Sequence, residues 1–252
     1  MIYFVGAGPG DPDLITVKGR KALEEADIII YAGSLVSPKH LDWAKDNCEI
    51  YNSAKMHLDE VLDVMIRGAK DGKDIVRLHT GDPSIYGAIQ EQMDPLEDEG
   101  IEFEVIPGVS SFVAAASSIK REFTLPDVSQ TVILTRMAGR TPVPEEENLK
   151  SLAAHKASMA LFLSVGNMDG VVKALKEGYG SGDVPVAVVY RATWEDEKRI
   201  FGTLDTIVAK VKEEKIIKQA QILVGDFLDS EYSKSKLYDK TFTTEYRQGI
   251  QE

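Results

Sequence analysis

The sequence predicts an α/β fold: mostly parallel sheet with helices on both faces, laid down in two successive sets. Three observations carry this. Short apolar runs alternate with amphipathic stretches along most of the chain. Glycine or proline follows many of those runs. The opening residues drive an apolar strand, Ile2 to Val5, straight into Gly6-Ala7-Gly8-Pro9-Gly10-Asp11. Clustered glycines at the end of a buried strand bring backbone close to a ligand, because no Cβ blocks the approach.

After strand 2–5, an amphipathic segment at 16–26 leads to the strand Asp27-Ile28-Ile29-Ile30-Tyr31. A helix near 38–46 and a strand at Glu49–Asn52 follow, then a longer helix at Leu58–Lys70 that stops at Gly72. Residues 74–79 are strand, 87–99 helix ended by Gly100, 102–106 strand and 110–118 a short helix of small residues. The second set begins after Leu125-Pro126-Asp127. It has strands at 131–135, 159–165, Pro185–Tyr190 and Ala220–Val224, an edge strand at 198–202, and helices at 146–154, 169–177 and 204–212. The two domains are expected at 1–120 and 121–252, with a polar terminal arm from Ser230.

The chain has 252 residues and is 43% hydrophobic, enough to bury a sizeable core. Its 29 basic residues face 41 acidic ones, for a net charge of −12. A nucleic-acid partner is therefore excluded from the reading, since phosphate binding needs a basic field. A polyanionic substrate needs a local cluster of cations. Cys48 is the single cysteine and reads as a small buried hydrophobe. No signal-peptide pattern precedes the first strand and no apolar run approaches ~20 residues, so a cytoplasmic protein without a membrane partner is expected.

The first loop is not the dinucleotide fingerprint, because the third glycine of G-x-G-x-x-G is replaced by Asp11, a carboxylate that repels pyrophosphate. Three more small-residue loops follow predicted strands: Thr80-Gly81-Asp82-Pro83, Pro107-Gly108-Val109-Ser110-Ser111 and Gly166-Asn167. Ligands of open sheets sit outside the carboxyl ends of parallel strands, so all four loops are expected on one edge. Asp82 has two readings: a turn aspartate bonding nearby amides, or a carboxylate that positions substrate or takes up a proton. Ser110 and Ser111 are helix caps or a hold for a small zwitterion. There is no P-loop and no nucleophile elbow. The histidines His40, His57, His79 and His155 lack metal-ligand spacing, so no metal is expected, and only His79 falls near the site. Arg136 and Arg140, just past a strand end, are the candidates for grasping carboxylates.

Together these blocks resemble the tetrapyrrole methylases, the cobalamin- and sirohaem-pathway methyltransferases that use S-adenosylmethionine. The family opening V-G-x-G-P-G-D is present as Val5-Gly6-Ala7-Gly8-Pro9-Gly10-Asp11. The second block is Gly81-Asp82-Pro83 with Tyr86-Gly87, and the third is Pro107-Gly108-Val109-Ser110-Ser111. Tyr31-Ala32-Gly33-Ser34-Leu35-Val36 and Arg77-Leu78-His79-Thr80 look like the branch that methylates carbon 11 of precorrin-4 or cobalt-precorrin-4. Thr80 departs from the glycine that many relatives carry there. The resemblance implies two αβα domains with an interdomain active-site trough, and a homodimer. It implies a cofactor site formed by Pro9, Thr80, Gly81, Asp82, Ile85, Ser110 and Ser111, completed by Phe162, Leu163, Ala187 and Ala220. S-adenosylhomocysteine would be the product. Asp11, His79, Arg136 and Arg140 would face the tetrapyrrole substrate, with Asp82 as the candidate catalytic carboxylate.

Overall fold

A computed structural model describes residues 1–250; Gln251 and Glu252 lie outside the described residues. The chain forms two compact units, Met1–Ala115 with Arg191–Glu197, and Ala116–Tyr190 with Lys198–Glu252. A division read along the chain has no means of showing the excursion at Arg191–Glu197.

The first unit is built on a five-stranded parallel sheet in the order β3-β2-β4-β1-β5. The strands are β1 (Ile2–Gly6), β2 (Ile28–Tyr31), β3 (Glu49–Asn52), β4 (Ile75–His79) and β5 (Phe103–Ile106). Helix α1 (Val17–Glu25) lies on one face, where Ala22 and Leu23 pack with Val5, Ile29, Val76 and Leu78. Helices α2 (Leu58–Lys70) and α3 (Gln90–Asp98) cover the other, over Ile2, Phe4, Ile28, Ile30 and Ile75. Cover on both faces explains why β2 reads Ile-Ile-Ile without alternation. In α2 the buried set Val61, Val64, Met65 and Gly68 recurs at helical spacing, and Gly68 lets the helix sit down on Ile28 and Ile75.

The sequence-expected helix at 38–46 is a 3-10 run, Pro38–Trp43. Helix α3 starts three residues later than expected, at Gln90, because Tyr86 and Ala88 hold left-handed backbone angles (φ 57° and 50°) that no α-helix admits. Helix α4 (Ser111–Ser118) closes this half of the chain.

The second unit carries the sheet β6-β7-β10-β8-β9: β6 (Val132–Arg136), β7 (Ser158–Phe162), β8 (Pro185–Tyr190), β9 (Lys198–Thr203) and β10 (Ala220–Val224). Only the neighbouring pair β6–β7 is parallel; β10 is antiparallel to both β7 and β8, and β9 to β8. The sheet is therefore mixed. No helix lies between β8 and β9, so their connection can only return the chain antiparallel. Helices α5 (Leu149–Ala153), α6 (Met168–Tyr179) and α7 (Ile207–Glu213) supply the remaining cover, with Val171, Leu175, Ile207 and Val211 buried against Leu161, Val186, Val188 and Ile222. As expected, β9 is an edge strand.

At the carboxyl ends of β1, β4 and β5 the three glycine loops touch backbone to backbone. Gly8 and Gly81 form a two-bond bridge, Gly81 N to Gly8 O at 2.8 Å and Gly8 N to Gly81 O at 3.2 Å. A Cβ on Gly6 would lie 2.6 Å from Gly81 O and 2.7 Å from Gly108 Cα, and one on Gly108 would run into the Gly81 carbonyl oxygen. Gly81 differs: its φ is +62°, but a Cβ there would meet nothing nearer than Ser110 Cα at 3.6 Å. Gly81→Ala should therefore cost about 1 kcal/mol of backbone strain, while Gly108→Ala should cost roughly 3 kcal/mol by forcing the loops apart. Urea unfolding of the two variants checks the order; equal losses would mean the loops are not in contact.

Candidate functional site

The strand order makes a switch point between β1 and β4: β1 connects leftward through α1 to β2, β4 rightward through α3 to β5. In open α/β sheets the crevice for a ligand lies outside the strand ends at such a point. The loops 6–11, 80–83 and 107–111 converge there, as the sequence predicts for three of its four loops. The fourth, Gly166-Asn167, follows β7 in the second unit, where Asn167 caps α6 by accepting from Gly170 N.

The first loop is held at nearly every residue. Ala7 N donates to His79 O (2.7 Å), Gly8 and Gly81 pair, and Asp11 N donates to Thr193 Oγ1 (3.0 Å). Pro9 O accepts from the Trp194 indole (2.9 Å). With those amides consumed, and no lysine or arginine in any of the three loops, the crevice is not a phosphate cradle. The three loops also carry hydroxyls: Thr80 is half-buried, Ser110 buried and Ser111 half-buried at the start of α4. Beside them, a Cβ on Gly81 would make ordinary contacts only, the nearest with Ser110 Cα at 3.6 Å. This donor set fits a ligand with neutral and zwitterionic parts, such as S-adenosylmethionine. Ile85, half-buried in the next loop, adds an apolar side chain.

Asp82 makes the amide contacts of its turn reading. Its Oδ1 accepts from Ser84 N (2.8 Å) and its Oδ2 from Gly108 N (2.9 Å). The carboxylate thus ties the second loop to the third, and a carboxylate held by amides at both oxygens is poorly placed to take up a substrate proton. Asp11 caps the turn Pro12–Leu14 through Asp13 N (3.0 Å).

His79 ends β4 with 4% of its surface exposed, and its Nε2 has no hydrogen-bond partner. Burial, and then the nearby Arg77 cation, push its pKa down to about 3, so the ring is neutral. Arg77 is itself buried; it donates to Gln92 Oε1 (2.9 Å) and Ile30 O (3.2 Å), and burial lowers its pKa to about 10. His79 is not the only histidine at this edge. His40 is fully buried and its Nε2 lies 3.0 Å from Ala7 O, with Nδ1 3.0 Å from Ser37 O. Sequence reading misses it because His40 is distant in the chain from every glycine block.

In the second unit, Arg136 does not present a free guanidinium. Its NH2 group donates to Pro142 O (2.6 Å) and NH1 to Thr141 O (3.2 Å), folding the loop after β6 around it. Arg140 is exposed on that same loop. Phe162 and Ala187 fall on the sheet face opposite Leu161, Val186 and Val188, whereas Ala220 packs with the core on the other face. The two alanine side chains are therefore not brought together. Leu163, with φ 54°, is 75% exposed.

Comparison with known proteins gives a consistent result. The family described as tetrapyrrole (corrin/porphyrin) methylases matches residues 1–208. The chain is similar to the cobalt-precorrin-4 C(11)-methyltransferase of Methanocaldococcus jannaschii, with 60% identity covering 98% of this chain and 95% of that one. It is similar to the X-ray structure of a cobalamin biosynthetic enzyme, cobalt precorrin-4 methyltransferase (TM-score 0.89, 50% identity, 91% of this chain and 96% of that one). It is also similar to uroporphyrin-III C-methyltransferase from Thermus thermophilus, solved with S-adenosyl homocysteine (TM-score 0.75, 26% identity, 90% and 98%).

The neutral, buried His79 has a consequence for stability. Its folded value, about 3, lies below the ordinary 6.5 of an unfolded chain, so the unfolded state binds the proton first on acidification. The contribution is fully present above about pH 6.5 and is lost as pH falls from there toward about 3. Between about pH 7 and about pH 5 this group should remove roughly 2 kcal/mol. Urea unfolding of His79→Gln should show a correspondingly flatter pH dependence; parallel curves would mean that His79 titrates in the fold as it does in the unfolded chain.

Proposed function

The chain belongs to the tetrapyrrole (corrin/porphyrin) methylases, and from that membership we infer an S-adenosylmethionine-dependent C-methyltransferase acting on carbon 11 of precorrin-4 in cobalamin biosynthesis. The observation that carries the substrate is the 60% identity, over nearly the full length of both chains, to a C(11)-methyltransferase of cobalt-precorrin-4. We take the cobalt-bearing intermediate as the substrate for the same reason.

S-adenosylmethionine, when bound, supplies a methyl group already activated by a positive sulfur. The protein's task is then chiefly alignment of the reacting atoms. Pro9, Thr80, Gly81, Ile85, Ser110 and Ser111 would hold this cofactor from the first unit. Phe162, Leu163, Ala187 and Ala220 would do so from the second, with Ala220 acting through its backbone. Asp82 serves by fixing the loops that carry Gly81 and Gly108, and is not assigned as the base. The substrate is a polycarboxylate and the chain is at −12, so local cations must offset the global field. Arg140 is the better candidate, because Arg136 is committed to its own loop. Asp11 and His79 stay in the proposed substrate set as edge residues. A homodimer and a cytoplasmic location belong to this reading as family expectations; light scattering in solution reads the first.

Incubation with S-adenosylmethionine and cobalt-precorrin-4 should give a product heavier by one CH2, together with S-adenosylhomocysteine, both seen by mass spectrometry. A product from precorrin-2 or uroporphyrinogen instead would move the chain to another branch of the family, and binding without any transfer would make it a regulator. Arg140→Ala should weaken tetrapyrrole binding by roughly 1–3 kcal/mol and leave S-adenosylhomocysteine binding unchanged, read by calorimetry. Equal weakening of both ligands would remove Arg140 from the substrate set.

A further inference from the structure

The segment Arg191–Glu197 interrupts the second sheet between β8 and β9, yet it packs with the first unit. Its contacts there fall on the first glycine loop and on Lys39, whose Nζ lies 3.0 Å from Glu195 Oε1. The Trp194 indole N–H donates to Pro9 O (2.9 Å) and Thr193 Oγ1 accepts from Asp11 N (3.0 Å). A Cβ on Gly10 would run into the indole ring, so the glycine makes the space the tryptophan occupies. The segment is itself braced. The Arg191 guanidinium lies 4.2 Å from the Trp194 ring centre, Arg191 Nε is 2.9 Å from Asp196 Oδ1, and Thr193 N donates to Glu197 Oε2 (2.6 Å). Arg191 and Thr193 both adopt left-handed backbone angles, φ 46° and 70°. Neither is a residue type that favours them, so surrounding contacts must hold the conformation.

We propose that Arg191–Glu197 is a clasp that sets the position of the Pro9–Asp11 backbone against the methyl donor, with Thr193 and Trp194 as its positioning residues. The proposal rests on the reading that this loop lines the S-adenosylmethionine site. Beyond Gly8, the loop's other bonds are local: Leu14 N donates to Asp11 O, and Asp13 N to the Asp11 side chain. Local bonds shape a turn but do not fix it relative to the strand ends. The two bonds from the clasp cross 182 and 185 residues of sequence and supply that restraint.

The test uses the whole chain and S-adenosylhomocysteine, with hydrogen exchange beside calorimetry. Thr193→Val removes the acceptor of the Asp11 amide at nearly constant volume, and Thr193→Ser keeps it. In Thr193→Val the amide of Asp11 should exchange faster while those of β1 keep their protection. S-adenosylhomocysteine affinity should fall roughly threefold to tenfold, the worth of one neutral hydrogen bond, and Thr193→Ser should restore both. Trp194→Phe, which keeps a ring beneath Arg191 but loses the N–H, should weaken binding to a similar degree. Faster exchange with unchanged affinity overturns the clasp as a positioning device and leaves it a structural tie. If the unaltered chain does not bind S-adenosylhomocysteine at all, the reading of the site falls and takes the proposal with it.

Discussion

The constraint on which the candidate site depends is the close approach of three backbones at the ends of β1, β4 and β5. Gly6, Gly81 and Gly108 are within contact of one another, and Gly8 pairs with Gly81 across the gap. Side chains at Gly6 or Gly108 would hold these loops apart. With them absent, the loops pair like short strands and the edge of the sheet becomes a fixed surface. Glycine here serves protein-to-protein contact first. Gly81 differs: a Cβ there would meet Ser110 and Ser111 only at ordinary contact distance, and glycine serves its left-handed backbone.

Much of the remaining first unit reinforces that edge. Asp82 ties the second loop to the third, His40 reaches Ala7 O, and His79 lends its carbonyl to Ala7 N. The bonds made by Ala7 N and Gly108 N occupy amides that could otherwise have met an anion. A loop whose amides are spent internally cannot bind a pyrophosphate as dinucleotide folds do. It can present rigid walls and a few hydroxyls to a ligand that brings its own activation. That agrees with methyl transfer from a sulfonium donor, in which alignment of reacting atoms matters more than charge stabilisation by the protein.

The second unit solves a different problem with a similar inventory. Its sheet is mixed, because β10 inserts antiparallel between β7 and β8, and β9 returns along β8. The connection from β8 to β9 is therefore not needed for a helical crossover. It is free to carry Thr193 and Trp194 to the first unit's glycine loop. In the loop after β6, carbonyls wrap Arg136. A guanidinium has five donors, and the carbonyls of Thr141 and Pro142 lie within its reach. The likeness of such an arginine to a substrate-gripping one ends at its hydrogen bonds.

The sequence by itself determined the parallel first sheet, its two-sided cover and the three glycine loops at one edge. Those follow from local signals: β-branched runs, helical spacing in residues such as Val61, Val64 and Met65, and glycine at strand ends. It also spoke against a dinucleotide through Asp11, and the blocks around Gly6, Gly81 and Gly108 carried the family. Only the tertiary structure decided what each polar side chain does. Asp82 and Arg136 are defined by backbone partners that loop closure brings to them, and His40 by a carbonyl 33 residues away. The antiparallel placement of β10 and the return of Trp194 to Pro9, across 185 residues, are likewise set by which strands pair and which segments meet. Periodicity and local spacing hold no record of such pairings, because the partners are chosen by packing in space and not by neighbours in the chain.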